Sequence, residues 1–148
     1  MTNKKTGNKG ESVAASALRS AGILMVAKIA TPHVRIPRPP YIVYTEPVAG
    51  DHHGILPNGI GVLAESKAVR GDKLDYSELE KHQHAALDGW AYNNGLALAV
   101  WVSDCGVYVM EYLELVKSGF APRTSLSVKQ ARAVAAATEL IIERMSRV

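Results

Sequence analysis

The stretch Gly50-Asp51-His52-His53-Gly54-Ile55-Leu56-Pro57-Asn58-Gly59-Ile60-Gly61-Val62-Leu63-Ala64-Glu65-Ser66-Lys67 decides the fold. Asn58-Gly59 is a pair whose backbone readily adopts the positive dihedrals of a tight hairpin turn, so its flanks read as two antiparallel strands. Alternation along the second strand puts Glu65 and Lys67 on one face with Leu63, and Val62, Ala64 and Ser66 on the other. Asp51 precedes the turn at about the distance from which the paired strand returns it beside Glu65. Two carboxylates and a lysine thus converge at one end of a hairpin.

Hard divalent cations prefer oxygen ligands, and Asp51, Glu65, a strand carbonyl at Ser66 and waters supply a magnesium site that manganese could share. Such an ion stabilises a pentavalent phosphate while Lys67 positions or helps activate the attacking water. This is the equipment of a metal-dependent nuclease. The alternative is an ordinary acid-lysine pair on a solvated surface.

Working outward, Leu79, Ala86, Leu87 and Trp90 recur at helical spacing in the segment around 78–94, and Gln83 falls on their buried stripe. A buried amide needs partners. Gln83 is therefore either a core residue bonded to backbone or a group presented to the metal water or scissile phosphate. Glu11 sits on the face that Ala14, Leu18 and Ala21 continue in a first helix of about 10–21. It is either a third carboxylate in the cleft or a first-turn acid facing exposed backbone N–H groups.

The rest of the chain reads as alternating strands and helices: a strand at 24–29, the two hairpin strands, strands at 96–103 and 107–111 around an Asp104-Cys105-Gly106 turn, a short helix at 112–118 and a longer one at 127–145. This order predicts an α/β protein, a mixed central sheet flanked by helices. Its 148 residues fit one domain, 10–148, preceded by a flexible basic arm, 1–9. In the terminal helix Val128, Ala131, Val134, Ala135, Thr138, Ile141 and Ile142 form an apolar stripe that must pack on its own sheet or on another subunit.

Between the first strand and Asp51, Pro32, Pro37, Pro39, Pro40 and Pro47 argue against a helix or central strand and for an extended projection over 31–47. Arg35 and Arg38 there can meet phosphates, and Tyr41 and Tyr44 can pack between bases or anchor the arm. A solvated proline-rich loop is the bland alternative. His52 and His53 flank Asp51, but adjacent strand residues point to opposite faces and no zinc-type Cys/His spacing exists; substrate contact or surface placement is expected. His82 and His84 flank Gln83, either near phosphates or partly exposed.

Net charge is +3, unevenly spread. Residues 1–10 carry three lysines, Lys9 among them, and no acid; residues 117–148 carry six basic residues against two acids. An acidic cleft with basic margins for a polyanion has this distribution. Cys105 is the single cysteine, so no disulfide framework is expected. Trp90 and Trp101 read as packing residues. No secretion signal or membrane-spanning run is apparent, and intracellular, cytoplasmic action at the nucleoid is the expectation.

Taken together, Glu11, Lys28-Ile29-Ala30-Thr31-Pro32, Gly50-Asp51-His52-His53-Gly54, Glu65-Ser66-Lys67, His82-Gln83 and the strand Gly95-Leu96-Ala97-Leu98-Ala99-Val100 make the chain resemble the RecU-like Holliday junction resolvases of the PD-(D/E)xK nuclease superfamily, across roughly residues 9–116. The resemblance implies a restriction-endonuclease-like fold with a short projecting stalk. It implies a homodimer that binds four-way or branched DNA and makes paired, magnesium-dependent cuts. Asp51 and Glu65 would bind the metal, Glu11 complete the acidic cluster, Lys67 assist the nucleophile and Gln83 support the site. Lys9, Arg35, Arg38, Tyr41, Tyr44 and His82 are the candidate DNA contacts. A different nuclease of this superfamily, acting on duplex or branched DNA, and a non-catalytic junction-binding module are the alternatives.

Overall fold

The computed structural model describes residues 3–30, 33–35, 37–39, 41–44 and 50–147. Of the 31–47 projection, residues 31, 32, 36, 40 and 45–47 lie outside the described residues.

The hairpin is the centre of the molecule. Strand β4 (His52–Ile55) runs antiparallel to β5 (Gly61–Ala68), with His52 opposite Ala64 and Ile55 opposite Gly61. The turn differs in detail from the two-residue form. Leu56 and Ile60 still pair, Gly59 N–H donates to Leu56 O at 2.8 Å, and Gly59 has φ +89° while Asn58 is not left-handed. Pro57, whose ring pre-sets its φ, takes the first corner, and the left-handed position passes to glycine.

On the outer side β4 pairs with β1 (Leu24–Lys28); on the inner side β5 runs parallel to β7 (Leu96–Ser103), and β8 (Gly106–Glu111) closes the far edge antiparallel to β7. The five-stranded order is β1-β4-β5-β7-β8. A parallel neighbour requires a crossover, and α2 (Lys81–Tyr92) supplies it. Strand β7 is buried on both faces, which explains its unbroken apolar run: Ala97, Ala99 and Trp101 enter one core, and Leu96, Leu98 and Val100 the other. Trp101, fully buried, donates its indole N–H to Val69 O at 2.9 Å.

Helix α1 (Asn3–Ser20) contributes Ala14 and Leu18 to the second core, whereas α2 and α3 (Tyr112–Lys117) cover the first through Leu87, Tyr112 and Leu115. Helix α4 (Val128–Ser146) crosses from one to the other, placing Ala131 and Val134 in the first core and Ile142 in the second. Its stripe packs on its own sheet. Thr138 fastens it to the edge strand, accepting from Glu111 N–H at 2.8 Å and donating to Val134 O at 2.7 Å.

Two features depart from the sequence reading. The first helix begins at Asn3 rather than about residue 10, so the stretch read as a flexible arm is helical from there; lysines favour helix and no proline interrupts the segment. A small antiparallel pair, β6 (Lys73–Asp75) with β9 (Ser125–Ser127), was not foreseen, since three residues carry no period; Leu74 and Leu126 bury it. Within the projection, β2 (His33–Arg35) and β3 (Ile42–Tyr44) form an antiparallel pair separate from the central sheet. Extended structure with prolines outside the ladder satisfies the dihedral limits of those prolines.

Gly54 permits the tight approach of β4 to the chain before β1. A Cβ there would stand 2.6 Å from Ile23 Cγ2 and 2.8 Å from Leu24 O. Gly54→Ala is therefore expected to destabilise the protein by about 1–3 kcal/mol through overpacking, read as a lower denaturant midpoint at unchanged slope. An unchanged midpoint would show that the edge strand yields freely.

Candidate active site

The backbone of Asp51 is held on both sides: its N–H donates to Ala64 O at 2.9 Å, and its carbonyl accepts from Ile29 N–H at 2.8 Å. Its side chain is held as firmly, with Oδ2 accepting from the Ser66 backbone N–H at 2.7 Å and from the Ser66 hydroxyl at 2.8 Å. Continuing the β4–β5 register by one residue sets Asp51 opposite Glu65. Gly50, at φ +80°, lets the chain enter this position over Leu63, where a Cβ would come within 2.5 Å of Leu63 Cδ1.

Glu65 is only 3% exposed. Burial pushes its carboxyl from the usual 4.5 up to about 8; the Asp51 charge and a hydrogen bond between the two carboxyls add to the rise, while Lys67 and the Gly50 N–H oppose it. Glu65 therefore keeps its proton to an unusually high pH for a carboxyl. Lys67 lies two residues on along β5, partly buried on the same face.

Gln83 is bonded to backbone, as one of its two sequence readings has it, and also to the buried acid. Its Oε1 accepts from Glu80 N–H at 2.7 Å, closing the N-terminus of α2, and its Nε2 donates to Glu65 Oε1 at 2.7 Å. The amide is thus a helix cap on one end and a support for the buried carboxylate on the other. Glu80 was missed as the residue that aims Gln83, although Glu80-x-x-Gln83 carries the spacing of a capping box.

Glu11 on α1 forms an ion pair with Lys28 of β1 at 2.7 Å. Among the described residues no three His, Cys, Asp or Glu side chains gather into a metal-holding group, so Glu11 does not stand with Asp51 and Glu65. The donor set is still suited to a hard cation. Magnesium commonly takes one or two carboxylates and completes its shell with water and substrate phosphate, and a buried carboxyl that holds its proton beside a second carboxyl is a place where a cation can replace that proton. Asp51 and Glu65 would hold such an ion.

The histidines differ from expectation. His84, read as either near phosphates or partly exposed, is buried: its Nδ1 is 2.8 Å from Tyr112 Oη, its Nε2 is 2.9 Å from Tyr76 O, and its ring stacks on Tyr76 at 3.8 Å. The Tyr76 carbonyl can only accept, so Nε2 carries the proton and Nδ1 accepts from Tyr112. His52, expected at the surface or on substrate, is buried beneath α1, and burial holds its pKa below the usual 6.5 against the pull of Asp51 and Glu11. His82 is exposed and pairs with Glu80 at 3.3 Å.

Of the other candidate contacts, Lys9, Arg35, Arg38 and Tyr41 are exposed. Tyr41, at φ +67°, closes a turn by donating its N–H to Arg38 O at 2.8 Å; of Tyr44 only the backbone is described. Trp90, read as a packing residue, is 39% exposed and lies over Gly61, donating its indole N–H to Gly61 O at 3.1 Å.

The mixed central sheet flanked by helices is a restriction-endonuclease-like architecture. No protein-family model matches the sequence, and no curated protein is similar to it in sequence. Among solved structures the chain is similar in fold to Hjc of Archaeoglobus fulgidus, a Holliday junction resolvase from an archaeal hyperthermophile, with a TM-score of 0.55 at 15% identity over 85% of this chain and 92% of that one. At that identity the likeness is one of fold.

No helix among the described residues is long and apolar enough to cross a membrane.

Proposed function

We propose that this protein is a magnesium-dependent, structure-specific endonuclease that resolves four-way DNA junctions by paired phosphodiester hydrolysis. The observation that carries the reading is the buried Glu65 carboxyl set against Asp51, with Lys67 on the same strand face. Fold similarity to a junction resolvase supports it.

Asp51 and Glu65 hold the divalent cation, which when bound supplies charge stabilisation to the phosphate transition state. Ser66 fixes Asp51, and Gln83 fixes Glu65. Lys67 orients the attacking water and adds a positive charge where the phosphate becomes more anionic. Glu11, paired with Lys28 on the α1 side of the sheet, is a supporting acid outside the metal-holding pair. The hairpin bearing Arg35, Arg38, Tyr41 and Tyr44 contacts the branch point, with Lys9 and His82 at the margins. A homodimer provides two such sites for cuts in two strands, and the setting is the cytoplasm, at the nucleoid during DNA processing.

The test is an assay of purified protein on strand-labelled four-way junctions and matched linear duplexes, with Mg2+ and with chelator. Symmetric, Mg2+-dependent cuts in the junction alone are expected. Comparable cutting of linear duplex would keep the nuclease and reject the specificity. Selective binding with no cuts would make the protein a junction-binding module.

A further inference from the structure

On the opposite face of the sheet from Glu65, a cleft of about 380 Å3 runs between α1 and the outer strands. Its helical wall is Ser12, Ala15 and Arg19, spaced i, i+3, i+7 on one stripe of α1. The stripe covers two turns, about 10 Å, with a hydroxyl at one end, a guanidinium at the other and only a methyl between them. The opposite wall is Val26 and Lys28 of β1, and beside them lies His52 of β4, which is directly opposite Lys28 in the ladder. Glu11, at the mouth, is engaged by Lys28.

His52 is 3% exposed, and its Nδ1 makes no hydrogen bond, an orphan among the buried side-chain nitrogens and oxygens of the described residues. Leaving such a group unpaired is costly, and one that lines a cleft is served by a ligand. The cleft has a guanidinium at one end, a hydroxyl and the Glu11–Lys28 ion pair at the other, an unpaired ring nitrogen between its walls, and a trough shape rather than a closed apolar cavity. Those are the requirements of an extended polyanion with repeated oxygen acceptors.

We infer that this trough binds the sugar-phosphate backbone of the DNA strand flanking the cleavage site, with Arg19 on one phosphate and Ser12 and His52 on a neighbouring one. The inference rests on the nuclease reading and extends it to a second contact surface that positions substrate and carries no chemistry.

The experiment is fluorescence anisotropy of a labelled four-way junction in chelator, for the wild type, Arg19→Ala, Ala15→Glu and a control, Arg147→Ala, at the far end of α4. Circular dichroism checks the fold of each. Arg19→Ala is expected to weaken binding about three- to tenfold near 0.1 M salt and to make the dependence of log Kd on log salt shallower by about one. Ala15→Glu, which sets a carboxylate on the floor of the trough, weakens it further. Affinity and salt slope unchanged in both folded variants would overturn the trough while leaving the nuclease intact, and an equal loss in Arg147→Ala would overturn it by reducing the effect to overall charge. A wild type that binds no DNA and cuts none would instead remove the functional reading on which the trough rests.

Discussion

Glu65→Gln is expected to lower the single-turnover rate of Mg2+-dependent junction cleavage by about a thousandfold or more while leaving junction affinity within about threefold. The substitution keeps the side chain's size and a carbonyl oxygen to accept from Gln83, whose Nε2 lies 2.7 Å from Glu65 Oε1. What it removes is charge. One of the two carboxylates proposed to hold the cation becomes neutral, and the cation's contribution to the transition state goes with it. Phosphate anchoring elsewhere on the surface is untouched, which is why binding and cutting separate. A folded variant that cuts at more than a tenth of the wild-type rate would sink the assignment of this pair as the active centre.

The second large effect concerns pH. In the folded protein the Glu65 carboxyl titrates near 8 rather than 4.5. Between those values the folded chain holds a proton that the unfolded chain has released, so this group's stabilising contribution is complete below about pH 4.5 and is lost as pH rises through 8. In chelator, the denaturant midpoint of the wild type should fall from pH 5 to pH 8.5, by an amount on the order of a few kcal/mol in unfolding free energy. Glu65→Gln should flatten that difference. Mg2+ works in the other direction, because the ionised pair binds it better; it should raise the midpoint more at pH 8.5 than at pH 6. Parallel pH profiles for wild type and variant, with no Mg2+ effect at either pH, would show that the buried carboxyl pair does not act as a cation site.

The raised pKa illustrates what separates the two levels of reading. Glu65 and Lys67 share a face because strand side chains alternate, and Asp51 returns beside them because a hairpin turn lies between. Both follow from local rules. Nothing local says that Glu65 is buried, because burial depends on α2 and β7 arriving from elsewhere in the chain. The desolvation that dominates its titration is therefore a tertiary property.

Gln83 and Glu11 show the same division. Helical spacing placed Gln83 on the buried stripe of α2, yet left open whether it serves the backbone or the site; the fold gives one end of the amide to each. Helical spacing likewise put Glu11 on the inward face of α1, but its partner is Lys28 of a neighbouring strand, a contact no periodicity encodes. His84 reads as an ordinary helix histidine until α3 and the turn before α2 close over it with Tyr112 and Tyr76.

The order of the central-sheet strands and main helices along the chain, the position of the hairpin and the residue types of the candidate site were determined by the sequence alone, because each rests on interactions within a few residues. Tertiary structure decided which strand lies parallel to which, that α4 packs on its own sheet through Thr138, which carboxylate is buried, and that an unpaired His52 lines a cleft beneath α1. Those outcomes depend on surfaces that meet across tens of residues, where desolvation and close packing choose the partner and the local pattern does not.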